Sequence, residues 1–163
     1  MNPWRSYRVS TTFEVSLRFA YQWCTDYTPE DGRYGSEDLT IHLDRRIIRR
    51  DARHVIFENL YDVGNGWGWE RHIVTLDPPN RWHCVGEGNY NKSILDYELT
   101  GLTEQRTKFN MHWRSKPIGL SEGPGPPKKV VEAYVAQLWR RRAKAMANDF
   151  RKTGKKGSRP RRR

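Results

Sequence analysis

Six runs of strand character follow one another between residues 39 and 115, with no gap long enough to hold a helix. They are Leu39–Arg49, His54–Tyr61, Trp67–Leu76, Trp82–Tyr90, Ile94–Leu102 and Thr107–Ser115. The breaks carry turn chemistry: Arg50-Asp51-Ala52, Gly64-Asn65-Gly66, Asp77-Pro78-Pro79-Asn80, and Thr103-Glu104-Gln105 after Gly101. Parallel neighbours need a crossover of about a dozen residues or more, so connections this short dictate an antiparallel meander. The last run shows the alternation most clearly. Phe109, Met111 and Trp113 fall on one face, and Lys108, Asn110, His112 and Arg114 on the other.

The flanks of this meander complete the layout. Tyr7 to Phe13 is rich in β-branched and aromatic residues and reads as a strand. Ser16 can cap a short helix over Leu17–Cys24. Thr28-Pro29-Glu30-Asp31 has the hydroxyl, early proline and acids of a second helix start, which Gly32 and Gly35 keep short. After a glycine- and proline-rich loop over Ile118–Pro127, Lys128 to Phe150 predicts a helix about 34 Å long. Its apolar stripe is Val131, Tyr134, Val135, Leu138, Ala145, Met146 and Phe150. Arg142 falls on that stripe and is its one clear departure; it either snorkels to the edge or meets a carboxylate. A sheet with one apolar face must cover it, and this helix is long enough to do so. Thr153 to Arg163 contains little besides glycine, proline and basic residues, so the chain divides into a domain over 1–150 and a flexible tail over 151–163.

Composition agrees with one folded domain. Seven Trp, eight Tyr and five Phe in 163 residues supply the large side chains of a core. No run of 18 apolar residues exists, and the mean hydropathy is -0.96, which excludes a membrane-spanning helix. Met1 to Ser10 lacks the apolar stretch of a signal peptide. Two cysteines, Cys24 and Cys84, make neither a disulfide framework nor a zinc site, so a reduced, cytoplasmic protein is expected. The charge is divided unevenly. Residues 1–127 carry 16 Lys/Arg against 17 Asp/Glu, whereas residues 128–163 carry 14 against 2. Such a split is the footprint of a phosphate-rich partner or of an anionic membrane surface.

One strand, two short helices, six antiparallel strands and a long C-terminal helix resemble the SRPBCC superfamily. This group includes START domains, Bet v 1-like proteins and the polyketide cyclase/dehydrase group. Val9 to Trp23 is similar to its opening strand and first helix, Asp26-Tyr27 to the segment that follows, and Leu95 to Phe109 to its sixth and seventh strands with their turn. The resemblance covers about residues 5–150. It implies an α+β helix-grip fold: a seven-stranded antiparallel sheet with the long helix over its concave face. It also implies that lipids, hormones or polyketides can bind between sheet and helix, although the fold serves other members as an interaction module.

Candidate chemistry is sparse. His42, His54, His72, His83 and His112 form neither an HxH nor an HExxH pattern, so no metal and no cofactor is expected. Cys24 and Cys84 lie in apolar surroundings where inert thiols are common, and no catalytic residue is assigned. Gly64-Asn-Gly-Trp-Gly68 is not followed by a helix and reads as a hairpin turn, with Trp67 and Trp69 closing one end of the core. Trp69, Tyr97, Met111, Trp113 and Tyr134 are the residues expected to line a cavity, or to fill it.

The basic end is the most specific signal. Arg140, Arg141, Lys144, Arg151, Lys152, Lys155, Lys156, Arg159, Arg161, Arg162 and Arg163 are the expected RNA contacts, following phosphates in an extended tail. The tail has no aromatic or Leu after Phe150 to insert into a bilayer, which argues against a membrane surface. The chain also resembles, in size and layout, the SRPBCC-type proteins of archaeal large ribosomal subunits. The expectation is therefore a non-enzymatic, rRNA-associated protein. The alternative is a carrier of an apolar small molecule or a polyketide cyclase-like enzyme.

Overall fold

Short turns between alternating strands leave the chain little choice but to fold back on itself, and it does. A computed structural model describes residues 3–29, 44–62, 66–119 and 123–156. The elements run β1 (Arg5–Phe13), α1 (Leu17–Thr25), β2 (Asp44–Arg50), β3 (His54–Asp62), β4 (Trp67–Asp77), β5 (Arg81–Gly88), β6 (Asn91–Thr103), β7 (Arg106–Pro117) and α2 (Lys128–Lys156). The strands form one antiparallel sheet in the order β1-β7-β6-β5-β4-β3-β2, so only the β1–β7 pair joins strands distant in sequence. The helix expected from Thr28 onward lies largely outside the described residues, as does the start of the strand expected at Leu39.

Each boundary has a local cause. The Ser16 side chain accepts a hydrogen bond from Phe19 N–H at 3.4 Å and so caps α1. Asp51 accepts from the backbone of Arg53 and His54, both at 2.9 Å, and closes the β2–β3 turn. Asn80 donates to the Leu99 carbonyl at 3.0 Å and ties the β4–β5 turn to β6. The edge strand β1 is not left open: its Arg8 N–H donates to Glu132 of α2 at 2.8 Å.

Register puts one set of side chains on the concave face. Directly opposed residues share a face, so Phe109 lies beside Leu99 and Thr11, Met111 beside Tyr97 and Val9, and Leu95 beside Cys84 and Trp113. The packed core gathers Val9, Phe13, Val15, Val55, Val74, Leu99, Phe109 and Met111. Over it lies α2, whose buried stripe is centred on Trp139 and Met146, with Val135, Ala136, Ala143, Ala147 and Phe150 beside them.

This stripe corrects the phase read from sequence. Tyr134 is 40% exposed, and Leu138 is half-buried outside the core cluster. Trp139, which the expected stripe leaves out, is 7% exposed and packs on Phe109 at a ring-centroid distance of 4.1 Å. Small alanines let the helix approach the sheet while one indole reaches in, so bulk rather than an even apolar stripe decides the orientation. The helix also continues through Lys156, past the domain boundary expected at residue 150.

Trp139→Ala is expected to lower unfolding stability by about 3–5 kcal/mol, while Tyr134→Ala stays within about 0.5 kcal/mol. Urea denaturation followed by circular dichroism checks both. Equal midpoints for the two variants would refute a helix phase that buries Trp139 and exposes Tyr134.

Candidate functional site

The aromatic cluster under α2 is packed at one end of the sheet and opens at the other. Trp82 stacks on Tyr97 at 4.7 Å, Trp139 meets Tyr97 edge-on at 6.2 Å, and Tyr21 meets Trp82 edge-on at 5.9 Å. Beyond this partition lies an inner cavity of about 190 Å³. Trp23 and Cys24 of α1, and Tyr27 just after it, form one wall. Arg45 of β2, Phe57, Asn59 and Tyr61 of β3, and His72 of β4 form the floor, together with Trp82 and Cys84 of β5 and Leu95 and Tyr97 of β6. Trp139 and Arg142 of α2 form the roof.

Tyr27 reaches the cavity from a left-handed backbone with φ of 43°, a strained conformation for a residue with a large side chain. Two contacts hold it there. Its ring stacks on Phe57 at 5.2 Å, and the Arg50 guanidinium donates to the Asp26 carbonyl and, at 3.1 Å, to the Tyr27 carbonyl.

The floor carries a buried polar network. Glu70 accepts from the Ser93 hydroxyl at 2.6 Å and the Tyr90 hydroxyl at 3.1 Å. His72 Nε2 stands 3.4 Å from Glu70 Oε2, while its Nδ1 faces Cys84 Sγ at 3.5 Å. The imidazole thus separates thiol from carboxylate, with its two nitrogens turned to different partners. Among the described residues, no group of three His, Cys, Asp or Glu side chains could hold a metal ion. Burial pushes the Glu70 carboxyl up, but His72 and the two hydroxyls outweigh it and hold the group below the usual carboxylate range. Burial pushes the Cys84 thiol and the Tyr97 hydroxyl well up, and takes Tyr61 up to about 12, so these groups stay protonated at neutral pH.

Gly86 makes room for this network. It lies opposite Ser93 and His72, and a Cβ there would overlap Glu70 Oε1 and Ser93 Oγ. The requirement is for absent bulk, not for an unusual backbone angle.

Of the residues expected to line a cavity, Tyr97 is on its wall. Trp69 is not: strict alternation along β4 turns it to the outer face beside Leu60, where it is 45% exposed. Trp67 is 60% exposed on that same face, so neither indole closes the core. Tyr134 is turned away with the outer side of α2. Met111 and Trp113 are on the inner face but in the packed end, where Trp113 stacks on Tyr7 at 4.8 Å. Sequence reasoning missed Arg45, Asn59, Tyr61, Glu70 and His72. The alternation that exposes Trp67 and Trp69 necessarily turns Glu70 and His72 inward, and that was the available signal.

The expected RNA contacts fall on or beyond α2. Arg140, Arg141, Lys144, Arg151 and Lys152 are exposed; Lys155 and Lys156 are in its last turn; Arg159, Arg161, Arg162 and Arg163 lie outside the described residues. A separate trough of about 860 Å³ lies on the outer face of the sheet, lined by Arg8, Ser10, His83, Asp96, Asn110 and His112. Its polar groups largely satisfy one another, as in His83–Asp96 at 2.6 Å, Ser10–Asn110 at 3.0 Å and His112–Ser6 at 2.9 Å.

No protein-family model matches the sequence, and no curated protein matches it. Solved structures do match. A START superfamily protein from Mycobacterium smegmatis is 11% identical with a TM-score of 0.65, over 91% of this chain and 98% of that one. The Zhui aromatase/cyclase from a Streptomyces species is 12% identical with a TM-score of 0.60, over 91% and 94%. A protein from Thermus thermophilus is 11% identical with a TM-score of 0.67, over 89% and 99%. The chain has the START/Bet v 1-like helix-grip fold. These likenesses lend no support to the ribosomal part of the resemblance.

Gly86→Ala is expected to destabilise the fold by about 1–3 kcal/mol, because the added methyl displaces the Glu70 carboxylate. The sign of the pH effect follows from the lowered Glu70 value. Its contribution is fully present above the unfolded carboxylate value of about 4.3 and is lost as pH falls through the folded one. Glu70→Gln should therefore flatten the acid limb of stability against pH, read from urea midpoints. An unchanged limb would remove Glu70 from the network.

Proposed function

We propose that the chain binds a small organic molecule in the inner cavity, as a carrier or a cyclase-like enzyme. The observation that carries this reading is a partly open space of about 190 Å³ beneath the grip helix, walled by aromatic rings and provided with an imidazole, hydroxyls and guanidinium groups. Mostly apolar walls with a few convergent polar groups are the general form of a ligand site. The fold shared with START and aromatase/cyclase proteins supports it.

Phenol and benzyl alcohol are suitable neutral probes, since a cavity of about 150 Å³ admits benzene. At about ten times its Kd, a probe should add about 1.4 kcal/mol of stability and raise Tm by roughly 3–6 °C. Cys84→Met, which extends a side chain into the cavity, should abolish that shift. A Tm indifferent to both probes would overturn this reading.

A second reading, RNA association, is favoured by one observation: Arg140, Arg141, Lys144, Arg151 and Lys152 are all exposed on α2, ahead of a basic C-terminus. No helix among the described residues is long and apolar enough to cross a membrane. Binding to structured RNA should weaken with salt at a log–log slope of roughly -0.7 to -0.9 per phosphate contacted. Changing Arg140, Arg141 and Lys144 to Ala should flatten that slope; a slope unchanged in the triple variant would count against it.

A further inference from the structure

We propose that the outer face of the sheet docks a second copy of this chain, the two copies meeting through one apolar row that crosses β3 to β6. The inference is independent of the cavity and of what it binds.

Register writes the row. Ile56 of β3 lies directly opposite Ile73 of β4, Ile73 opposite Val85 of β5, and Val85 opposite Ile94 of β6. Directly opposed residues share a face, so these side chains form one strip. Their chain neighbours Val55, Val74, Cys84 and Ser93 are buried on the concave side, which puts the strip on the outer side. Ile73 is 46% exposed and Val85 41%, and Ile56 and Ile94 are half-buried. A single exposed apolar side chain is ordinary, and the outer face of an antiparallel sheet normally turns polar residues to water. An unbroken apolar line across neighbouring strands is instead the mark of a docking surface.

Charge names the occupant. On one side of the strip the register continues as Glu58, Arg71, Glu87 and Lys92, and on the other as His54, Thr75, His83 and Asp96. Two identical copies associate most simply about a two-fold axis, which lays the same patch on itself. With the axis along the strands, Ile56 comes over Ile94 and Ile73 over Val85, while Glu58 comes over Lys92, Arg71 over Glu87 and His54 over Asp96. With the axis along the strip, Glu58 comes over His54, Glu87 over His83 and Lys92 over Asp96. No like charges meet over these central strands in either arrangement. The flanking groups are also paired within each copy, Arg71 with Glu58 at 2.6 Å, Lys92 with Glu87, and His83 with Asp96 at 2.6 Å. Covering them therefore leaves no lone ion buried. Arg49 and Arg114 close the strip at its two ends, beside Asp51 at 3.2 Å and Asp96 at 3.7 Å. An apolar centre inside a charged rim is the anatomy of a protein–protein contact.

Sedimentation velocity of the full chain, from about 5 to about 500 µM, tests this. A contact of this size is expected to give a dimer with a Kd on the order of 10–100 µM. Ile73→Asp should remain a monomer throughout, with an unchanged thermal transition showing that it is folded. Lys92→Glu puts a carboxylate over Glu58 or Asp96, whichever axis holds, and should weaken the dimer at least about tenfold. Lys144→Glu makes the same charge change on α2 and should leave Kd within about twofold. A wild-type chain that stays monomeric over the whole range overturns the proposal, and that measurement needs no variant to fold. An Ile73→Asp dimer as tight as wild type overturns it too, as does growth beyond a dimer, which a contact of a patch with itself cannot produce.

Discussion

The contact between Trp139 and Phe109 is the one on which the arrangement of helix and sheet depends. Their rings are 4.1 Å apart, Phe13 closes on the same indole at 6.2 Å, and Tyr97 meets it from the other side. Nothing covalent holds α2 against the sheet: both cysteines are free thiols. The flanking contacts are smaller, such as Phe19 with Phe150, and Trp23 Nε1 donating to Asp149 at 3.2 Å. Because Trp139 is at once the centre of the packed end and part of the cavity roof, the space for a ligand is defined by the residue that secures the core. Stability and binding therefore share one side chain.

The concave face is graded rather than uniformly apolar. Phe13, Leu99 and Phe109 are fully buried toward β1 and β7, while Asn59, Glu70, His72 and Ser93 are buried toward β3, β4 and the ends of β5 and β6. A buried carboxylate is tolerable only if it is hydrogen-bonded, and the Ser93 and Tyr90 hydroxyls meet that need, with the His72 imidazole 3.4 Å away. The gradient explains why the protein is filled at one end and open at the other: aromatic rings interlock, whereas a fixed polar network keeps its neighbours at hydrogen-bond distance.

Much of the architecture was legible in the sequence, because turn residues and period-two alternation act locally. Phe109, Met111 and Trp113 point inward as their spacing predicts. The site was less legible. On β4 the outward set, Trp67, Trp69 and Ile73, is more hydrophobic than the inward pair Glu70 and His72, so hydrophobicity alone assigns the faces wrongly. Only register against Val55 and Cys84, both paired with Val74, fixes the direction. On α2 the same problem arises from Trp139, whose neighbours Arg140 and Arg141 mask it in a pattern search. Arg142 was visible as an anomaly from spacing alone, but the object it faces is made by strands far away in sequence.

The carboxylate of Glu132 has a meaning beyond its hydrogen bond to Arg8. An unpaired strand edge is a template on which another chain can add a strand. At β1 that template is occupied by a side chain from the covering helix, and at the opposite rim β2 presents Arg46, Arg49 and Arg50. One margin thus has an edge donor taken by a carboxylate, and the other carries basic side chains of the kind that disfavour strand addition. Features of this kind lie remote from the core, so a change at either margin can alter how the sheet meets another strand without altering how tightly that core is packed.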